Sequence, residues 1–276
     1  MRKIVSLFLI TGIIIGFIYS QTNLKKFKLM KKSQKVFKTP ESIKYDPARK
    51  VIYVSNINGA PTERDGNGFI SKLNEKGEVI DLKWITGLDA PKGMGIYKNY
   101  LYVTNIYEVV KIDIESERII KRIDMGGEFL NDIDVDEVGN VYVSDMTDKK
   151  IYKIDQNNNY TEYFKNQAVK RPNGLRVLNN YLYIGSAERV FSLDLKSKEL
   201  IELSKGFKNT DGIVFTKDNN LIASNFNGEL FYYDFKKKTN YSQKLKHGSA
   251  DIGIIRKKNI LLVPDFDKSI YFYWIK

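Results

Sequence analysis

The chain has 276 residues, of which 45 are basic and 33 acidic, and its formal net charge at pH 7 is +12. It contains no cysteine and a single histidine, His247, so disulfides, thiolate metal sites and a multi-histidine metal site within one chain are excluded. The basic residues are spread along the chain without a recognition motif or an aromatic–basic platform, so the sequence does not support nucleic-acid binding.

The first twenty residues have the pattern of an export signal. A short basic region, Met1–Lys3, is followed by a nearly continuous apolar stretch that ends in Tyr19 and the small residue Ser20. We therefore expect a signal peptide over residues 1–20 and an exported protein, periplasmic or extracellular. The alternative is an uncleaved membrane anchor, although the apolar stretch is short for a membrane span.

A lysine-rich segment follows the predicted signal. We interpret residues 21–34 as a basic spacer and residues 35–276 as one domain, with Lys35–Lys38 (KVFK) supplying its first strand. The lysines have two interpretations that the sequence leaves open. They would either contact an acidic membrane surface or form the charged outer face of a solvated spacer and edge strand.

A motif then occurs six times along the chain. Each copy has a polar opening residue, a short apolar-alternating strand, a turn, and a second strand that ends in a polar residue. Successive opening residues are 38 to 51 residues apart, and strand-only repeats of this period are typical of a β-propeller. The opening residues, called the openers below, are Glu41, Lys92, Asn131, Asn173, Asp211 and Asp251.

The repeats predict an all-β, six-bladed β-propeller with four-stranded blades. The sixth repeat ends before its fourth strand, so we expect an N-terminal strand to complete the last blade. The first repeat is longer because of residues 58–68 (NGAPTERDGNG). This loop is expected either to overhang the openers or to be a surface insertion.

Innermost strands of a propeller begin beside its central channel, so the openers should converge there. Carboxylates held close together repel one another, and a divalent cation relieves that repulsion. Oxygen-only ligation by carboxylates and amides suits Ca²⁺, and Mg²⁺ less well. Glu41, Asn173 and Asp211 are the ligands expected first, although any one of them alone is equally an ordinary turn residue.

A second set of polar residues ends the second strand of each repeat. They should lie on the same face as the openers and orient the ligands by hydrogen bonds, and simple strand termination explains them equally well. The set comprises Asn56, Asn105, Asp145, Ser186, Asn225 and Asp265.

At these positions the chain resembles the regucalcin/gluconolactonase group of six-bladed propellers, and more loosely the paraoxonase and strictosidine synthase-like propellers. The resemblance covers about residues 40–276. It rests on PES, LNDIDVDEVGNVYVSD, PNGL and TDGIVFTKDNNLIASNFNGEL, which are Pro40–Ser42, Leu130–Asp145, Pro172–Leu175 and Thr210–Leu230.

The resemblance implies a metal-dependent hydrolase of lactones or related small-molecule esters. In that family a divalent metal, here Ca or alternatively Mg, Zn or Mn, would be held by Glu41, Asn173 and Asp211. Asn131 would touch substrate or a metal-bound water, and Asp211 would also act as the general base.

The chain also departs from the family pattern. Phe129 stands where sugar-lactone members carry a substrate-binding arginine, and Lys92 and Asp251 are not the openers expected there. We assign these three residues to the substrate side of the site and expect a more apolar ester than a sugar lactone. The alternatives are a non-catalytic metal-containing binding or scaffold propeller and a cell-surface interaction protein.

Overall fold

The computed structural model describes residues 26–276, except for the side chains of residues 204 and 205. Within that range the chain forms six four-stranded antiparallel sheets and one short 3₁₀ helix, Arg256–Lys258. The predicted six-bladed propeller with four-stranded blades is confirmed. No helix within residues 26–276 is long and apolar enough to cross a membrane. The predicted signal peptide and the first residues of the predicted spacer lie outside the described range.

Five blades consist of four consecutive strands, ordered from the channel outward. Blade one contains β2 (Pro40–Asp46), β3 (Val51–Asn56), β4 (Gly68–Asn74) and β5 (Val79–Leu88). Blade two contains β6 (Pro91–Tyr97), β7 (Tyr100–Asn105), β8 (Glu108–Asp113) and β9 (Arg118–Asp124). Blade three contains β10 (Leu130–Val135), β11 (Val141–Asp145), β12 (Lys150–Ile154) and β13 (Tyr160–Lys165). Blade four contains β14 (Leu175–Leu178), β15 (Tyr181–Gly185), β16 (Arg189–Asp194) and β17 (Leu200–Lys205). Blade five contains β18 (Thr210–Phe215), β19 (Leu221–Asn225), β20 (Glu229–Asp234) and β21 (Thr239–Lys244).

Blade six joins the two ends of the chain. It contains β22 (Gly253–Ile255), β23 (Ile260–Asp265), β24 (Ser269–Ile275) and, outermost, β1 (Phe27–Lys32), which pairs antiparallel with β24. Closure by an N-terminal strand is thus confirmed, but this strand lies within the segment expected to be a spacer and not at Lys35–Lys38. Phe27 is buried in the core beneath blade six, whereas Phe37 is buried beside Ile43 as part of the connection into blade one.

Burial falls from the channel to the rim. Every residue of β3 is buried, whereas none of β21 is. Strands near the axis are covered on both faces by neighbouring blades and are therefore rich in Val, Ile and Leu. The innermost strand of blade four is an exception, because only Leu175 of β14 is buried.

Candidate functional site

The openers of four blades lie in β-bulges. In blade one, Pro40 pairs with Asn56 and Ile43 with Val54, so Glu41 and Ser42 together face one residue of β3. The same two-against-one irregularity occurs at the openers of blades two, three and five. A bulge bends its strand and redirects side chains, and here it turns the openers toward the axis.

Hydroxyl groups on the second strands stabilise these bulges. Ser55 Oγ accepts a hydrogen bond from Ser42 N at 2.9 Å, and Ser144 and Ser224 serve blades three and five in the same way. In blade two, Thr104 Oγ1 instead donates to the carbonyl oxygen of Asn131 in blade three, at 2.5 Å. The sequence analysis missed these residues. Their signal is a Ser or Thr immediately before the polar end of the second strand.

Glycines after three openers, Gly93, Gly174 and Gly212, allow neighbouring inner strands to approach closely. A Cβ added at Gly174 would lie 2.0 Å from the carbonyl oxygen of Asp211, and one at Gly212 would lie 2.4 Å from Asp251 Oδ1. Any side chain would therefore displace the next blade. The NG and DG motifs at Asn173 and Asp211 thus have a packing reason in addition to any chemical one.

Three of the openers, Glu41, Asn173 and Asp211, are brought together at the end of the channel where the innermost strands begin. Asn173 Nδ2 donates to Asp211 Oδ1 at 3.0 Å. Glu41 is buried, and after burial itself the charge of Asp211 contributes most to raising the pKa of Glu41. Glu41 Oε2 and Asn173 Oδ1 are both buried and have no hydrogen-bond partner within the described residues. Two buried oxygen atoms among these three openers are therefore left without a donor.

The carboxyl groups around this end of the channel have raised pKa values. Burial, followed by the charge of Asp251, raises the pKa of Asp211 to about 7. Burial also raises the pKa of Asp251 to about 6, although the hydroxyl of Ser42 donates to its carboxylate. Burial and Asp251 together raise the pKa of Asp132, which follows the third opener, well above its usual range. Each of these carboxyl groups therefore binds its proton more tightly than an exposed carboxyl group does, and a nearby cation would offset the shift.

Lys92 is buried and fully engaged. Its Nζ donates to the carbonyl oxygens of Ala90 at 3.0 Å and Pro61 at 2.9 Å, and it lies 4.7 Å from the ring centroid of Phe129. Burial lowers its pKa to about 8, against the opposing charge of Glu41. The loop at residues 58–68 thus reaches the opener of blade two through Pro61. Lys92 and Phe129 contact each other here.

A cavity of about 220 Å³ opens beside Asn173 and Asp211. Its wall is mostly made by six residues that the sequence analysis did not select. Five of these six residues occupy repeated positions, either two residues before an opener or one residue after the polar residue that ends a second strand, and this register is the signal that could have found them; the sixth is Thr210, directly before Asp211. The five are Arg171 and Asn209 in the first position and Met146, Ala187 and Phe226 in the second. Asn131 borders the same wall, with Nδ2 4.0 Å from Met146 Sδ.

Four of the six polar residues that end the second strands bond to the segments leading into the openers. Within the described residues, no hydrogen bond joins their side chains to the opener side chains. Asn105 Oδ1, for example, accepts from Ala90 N at 3.1 Å, two residues before Lys92. Asp265 and Ser186 bond within their own turns, to Asp267 N and to the Arg189 carbonyl oxygen. The other bonds of this kind join Asn56 to Lys38 N, Asp145 to Glu128 N and Asn225 to the Lys208 carbonyl oxygen.

The donors around Glu41 fit a hard divalent cation. Among residues 26–276, no three His, Cys, Asp or Glu side chains are grouped as a metal site. The predicted set contains only two such side chains, because its third donor is the amide oxygen of Asn173. Two unpartnered buried oxygens and one carboxylate are an oxygen-only donor set of the kind that Ca²⁺ prefers.

A second charged layer lies three residues further along the inner strands. Asp134 Oδ1 is 2.7 Å from Lys44 Nζ and 3.6 Å from Arg176 Nη1, and its Oδ2 accepts from Val177 N at 2.9 Å. Burial acts to raise the pKa of Asp134, but the two cations outweigh it and the pKa is lowered. Lys44 thus reaches across the channel from blade one to blade three.

Comparison with known proteins supports the fold and nothing finer. No protein-family model matches the sequence, and no curated protein is significantly similar to it. A solved streptogramin B lyase structure matches with a TM-score of 0.67 and 12% identity, over 91% of this chain and 98% of that chain. The WD40 β-propeller domain of Doa1 matches with a TM-score of 0.67 and 9% identity, over 86% and 79%. At these identities the likeness establishes a shared propeller fold, and the regucalcin/gluconolactonase resemblance stays a prediction.

Proposed function

We propose that this chain is a divalent-cation-dependent hydrolase of lactones or related small esters. The observation that carries the proposal is the pair of unpartnered buried oxygens, Glu41 Oε2 and Asn173 Oδ1, in a cluster where the Asn173 amide bonds to Asp211 and the charge of Asp211 acts on Glu41. A buried acceptor without a donor costs free energy. A site that keeps two such acceptors beside a carboxyl is best explained by a bound cation.

The charges along the channel support the same conclusion. The opener end contains four carboxyl groups and one cation, so full ionisation leaves three negative charges, of which a divalent cation would offset two. When bound, that cation would polarise an ester carbonyl as a Lewis acid. The carboxyl groups are Glu41, Asp132, Asp211 and Asp251, and the cation is Lys92.

Asp211 is the residue best suited to move a proton. Its carboxyl lines the cavity beside the proposed cation. A bound cation would lower the pKa of Asp211 from its cation-free value of about 7, so the cation would share the task by acidifying the attacking water. The amide of Asn173 holds one carboxyl oxygen and so fixes the orientation of the other toward the cavity. In this role the carboxylate of Asp211 accepts the proton of the attacking water and later returns it to the leaving alkoxide oxygen.

The cavity favours a small ester with an apolar part. Met146, Ala187 and Phe226 supply apolar wall, while Arg171 and Asn209 supply donors for a carbonyl or carboxylate oxygen. Phe129 replaces the substrate-binding arginine of the sugar-lactone pattern, and Lys92 lies against the Phe129 ring. Neither residue therefore offers the polar contacts expected for a sugar. We therefore propose lactones and esters with hydrocarbon substituents as the substrate class.

The proposal is tested by assaying purified protein against lactones of several ring sizes and aryl esters, before and after chelator treatment. Activity should disappear with chelator and return on adding Ca²⁺, with Mg²⁺, Mn²⁺ and Zn²⁺ as comparison ions. Asp211→Asn should abolish the chelator-sensitive activity in a folded protein. Asp267→Asn is the matched control, because that exposed carboxylate forms an ion pair with Lys35 at the surface of blade six, away from the cavity. If activity survives in Asp211→Asn, Asp211 is not the general base.

Two other outcomes separate competing functions. A cation bound without turnover of any ester would identify a binding or scaffold propeller. Ester cleavage without uptake of oxygen from ¹⁸O-labelled water would instead indicate a lyase, the class named for the streptogramin B enzyme that shares this fold. In that case Asp211 would take a proton from carbon and not from water.

A further inference from the structure

The opposite end of the channel holds a second, larger cavity of about 420 Å³. It lies where the innermost strands end, and every blade contributes to its wall. Cavities of this size accommodate small organic ligands. One wall residue from each blade, in order, is Lys44, Ile96, Asp134, Arg176, Phe215 and Arg256.

The charge of this cavity is strongly positive. Five cationic side chains line it against two carboxylates, so three positive charges are not balanced within the wall. Such an excess at a partly enclosed site attracts anions and concentrates them. The cations are Lys44, Arg49, Lys98, Arg176 and Arg256, and the carboxylates are Asp46 and Asp134.

Two of the arginines are held in place by protein partners. Arg49 Nη1 bonds to Asp46 at 2.8 Å. Arg256 Nε donates to the carbonyl oxygen of Thr216 at 2.9 Å, and its Nη2 donates to Asn219. These bonds fix the guanidinium groups at the cavity rim before any ligand arrives, which reduces the entropy cost of binding.

Arg176 is different, because its donors are largely unused. Within the described part of the chain its guanidinium contacts one group, Asp134, at 3.6 Å, and that carboxylate is already bonded to Lys44 and Val177 N. Its side chain is only 25% exposed, so water solvates it incompletely. A planar fork of free donors in a positively charged cavity is suited to bidentate binding of a carboxylate.

The apolar part of the wall distinguishes an organic anion from a bare inorganic one. Ile96, Val177, Leu178 and Phe215 line the cavity between the cations. We propose that this mouth of the channel binds a small organic anion that carries two or more carboxylate groups, with Arg176 as the main anchor. The site is separate from the hydrolase site, and its existence does not depend on the hydrolase proposal.

Binding of citrate, followed by isothermal titration calorimetry, tests the proposal on the whole chain. We expect one citrate per chain, bound more tightly than inorganic phosphate and more weakly as ionic strength rises. Arg176→Met should weaken citrate binding about tenfold or more, since a hydrogen bond to a charged group is worth at least that factor. Arg171→Met is the matched control, because Arg171 lines the cavity at the other end of the channel.

Three results would overturn the proposal. They are no saturable citrate binding, an unchanged affinity in Arg176→Met, and a loss that follows Arg171→Met instead. Phosphate bound as tightly as citrate would overturn the choice of an organic carboxylate. If Arg176→Met does not fold, Arg176→Lys is used in its place. Lysine keeps the positive charge but lacks the planar guanidinium group, so citrate should bind with an affinity below that of the wild type.

Discussion

The two ends of the channel differ in sign although the same six inner strands form both. Asp211, at the opener end, and Asp134, at the other, are both buried aspartates, yet the pKa of Asp211 is raised to about 7 and that of Asp134 is lowered. Burial acts in the same direction on both. The difference comes from the neighbours, because Asp211 faces Asp251 whereas Asp134 faces Lys44 and Arg176.

One ring of strands can thus have opposite charge at its two ends when those ends are built differently. At the opener end, bulges and glycines bring carboxyl groups close together and leave oxygens without donors. At the other end the strands pair regularly and long cationic side chains reach across the channel. Removal of a carboxylate charge should therefore stabilise the cation-free protein at the opener end and destabilise the protein at the other end.

The largest effect is expected from Gly174→Ala at the opener end. The added methyl group would lie 2.0 Å from the carbonyl oxygen of Asp211, so the strands of blades four and five must separate. We expect a loss of about 3 kcal/mol in the free energy of unfolding, the upper part of the range for overpacking, together with loss of cation binding. Urea unfolding and calcium titration measure the two effects.

The control for that substitution is Gly59→Ala in the loop at residues 58–68. Its Cβ would meet only side-chain ends, Glu63 at 3.3 Å and Asn67 and Asp65 at 3.7 Å, so stability should change by less than about 0.5 kcal/mol. If Gly174→Ala proved equally mild, close approach of the inner strands would not be what the NG motif provides.

At the opposite end, Asp134→Asn should destabilise by about 2 kcal/mol at pH 7, less than for a fully buried pair because Lys44 and Arg176 stay partly solvated. The pKa of Asp134 is lowered by folding, so its contribution is complete above about pH 4, the unfolded value. The contribution disappears as pH falls through the lower folded value. The difference between wild type and variant should therefore shrink between pH 7 and pH 3.

Urea unfolding at the two pH values measures this difference, with Asp267→Asn as the control for an exposed ion pair. That control should leave stability nearly unchanged at both pH values, because solvent screens an exposed ion pair. A difference at Asp134 that stayed constant with pH would mean that the carboxylate is not held by the two cations.

The sequence predicted the architecture and the convergence of the openers because a repeat places equivalent residues at equivalent positions around one axis. It could not locate the closing strand. Phe27 and Phe37 are both phenylalanines next to lysine and both pack against residues of β24, but only Phe27 lies in the strand that pairs with the β24 backbone. Local pattern carries no information about that backbone pairing.

The roles of individual openers also could not be predicted from the local sequence pattern. Lys92 is satisfied by Pro61 and lies against Phe129, which come from two other parts of the chain, so its engagement follows from packing alone. Arg171 and Phe226, by contrast, occupy repeated positions near the openers. A comparison of the six repeats at those positions would have found them.

Glu41→Gln tests whether the opener end is built for a cation. The carboxyl of Glu41 is buried with a raised pKa and one unpartnered oxygen, so the neutral amide should stabilise the cation-free protein by about 1 kcal/mol. The same change removes a ligand charge, so Ca²⁺ should stabilise wild type and leave the variant nearly unaffected. Thermal unfolding with chelator and with Ca²⁺ gives both values. A variant that is less stable without cation would contradict the proposed site.

The smallest effect on stability is expected from Phe226→Ala at the cavity wall. Phe226 is 56% exposed, so truncation should change the free energy of unfolding by less than about 0.5 kcal/mol. If the cavity binds the apolar part of an ester, the same truncation should raise KM several-fold and leave kcat nearly unchanged, because contact with a non-reacting group is made equally in the ground and transition states. Tyr241→Ala, at the rim of blade five and 37% exposed, should alter neither constant. An effect of Phe226→Ala on kcat alone would mean that the ring positions Asp211 and does not bind substrate.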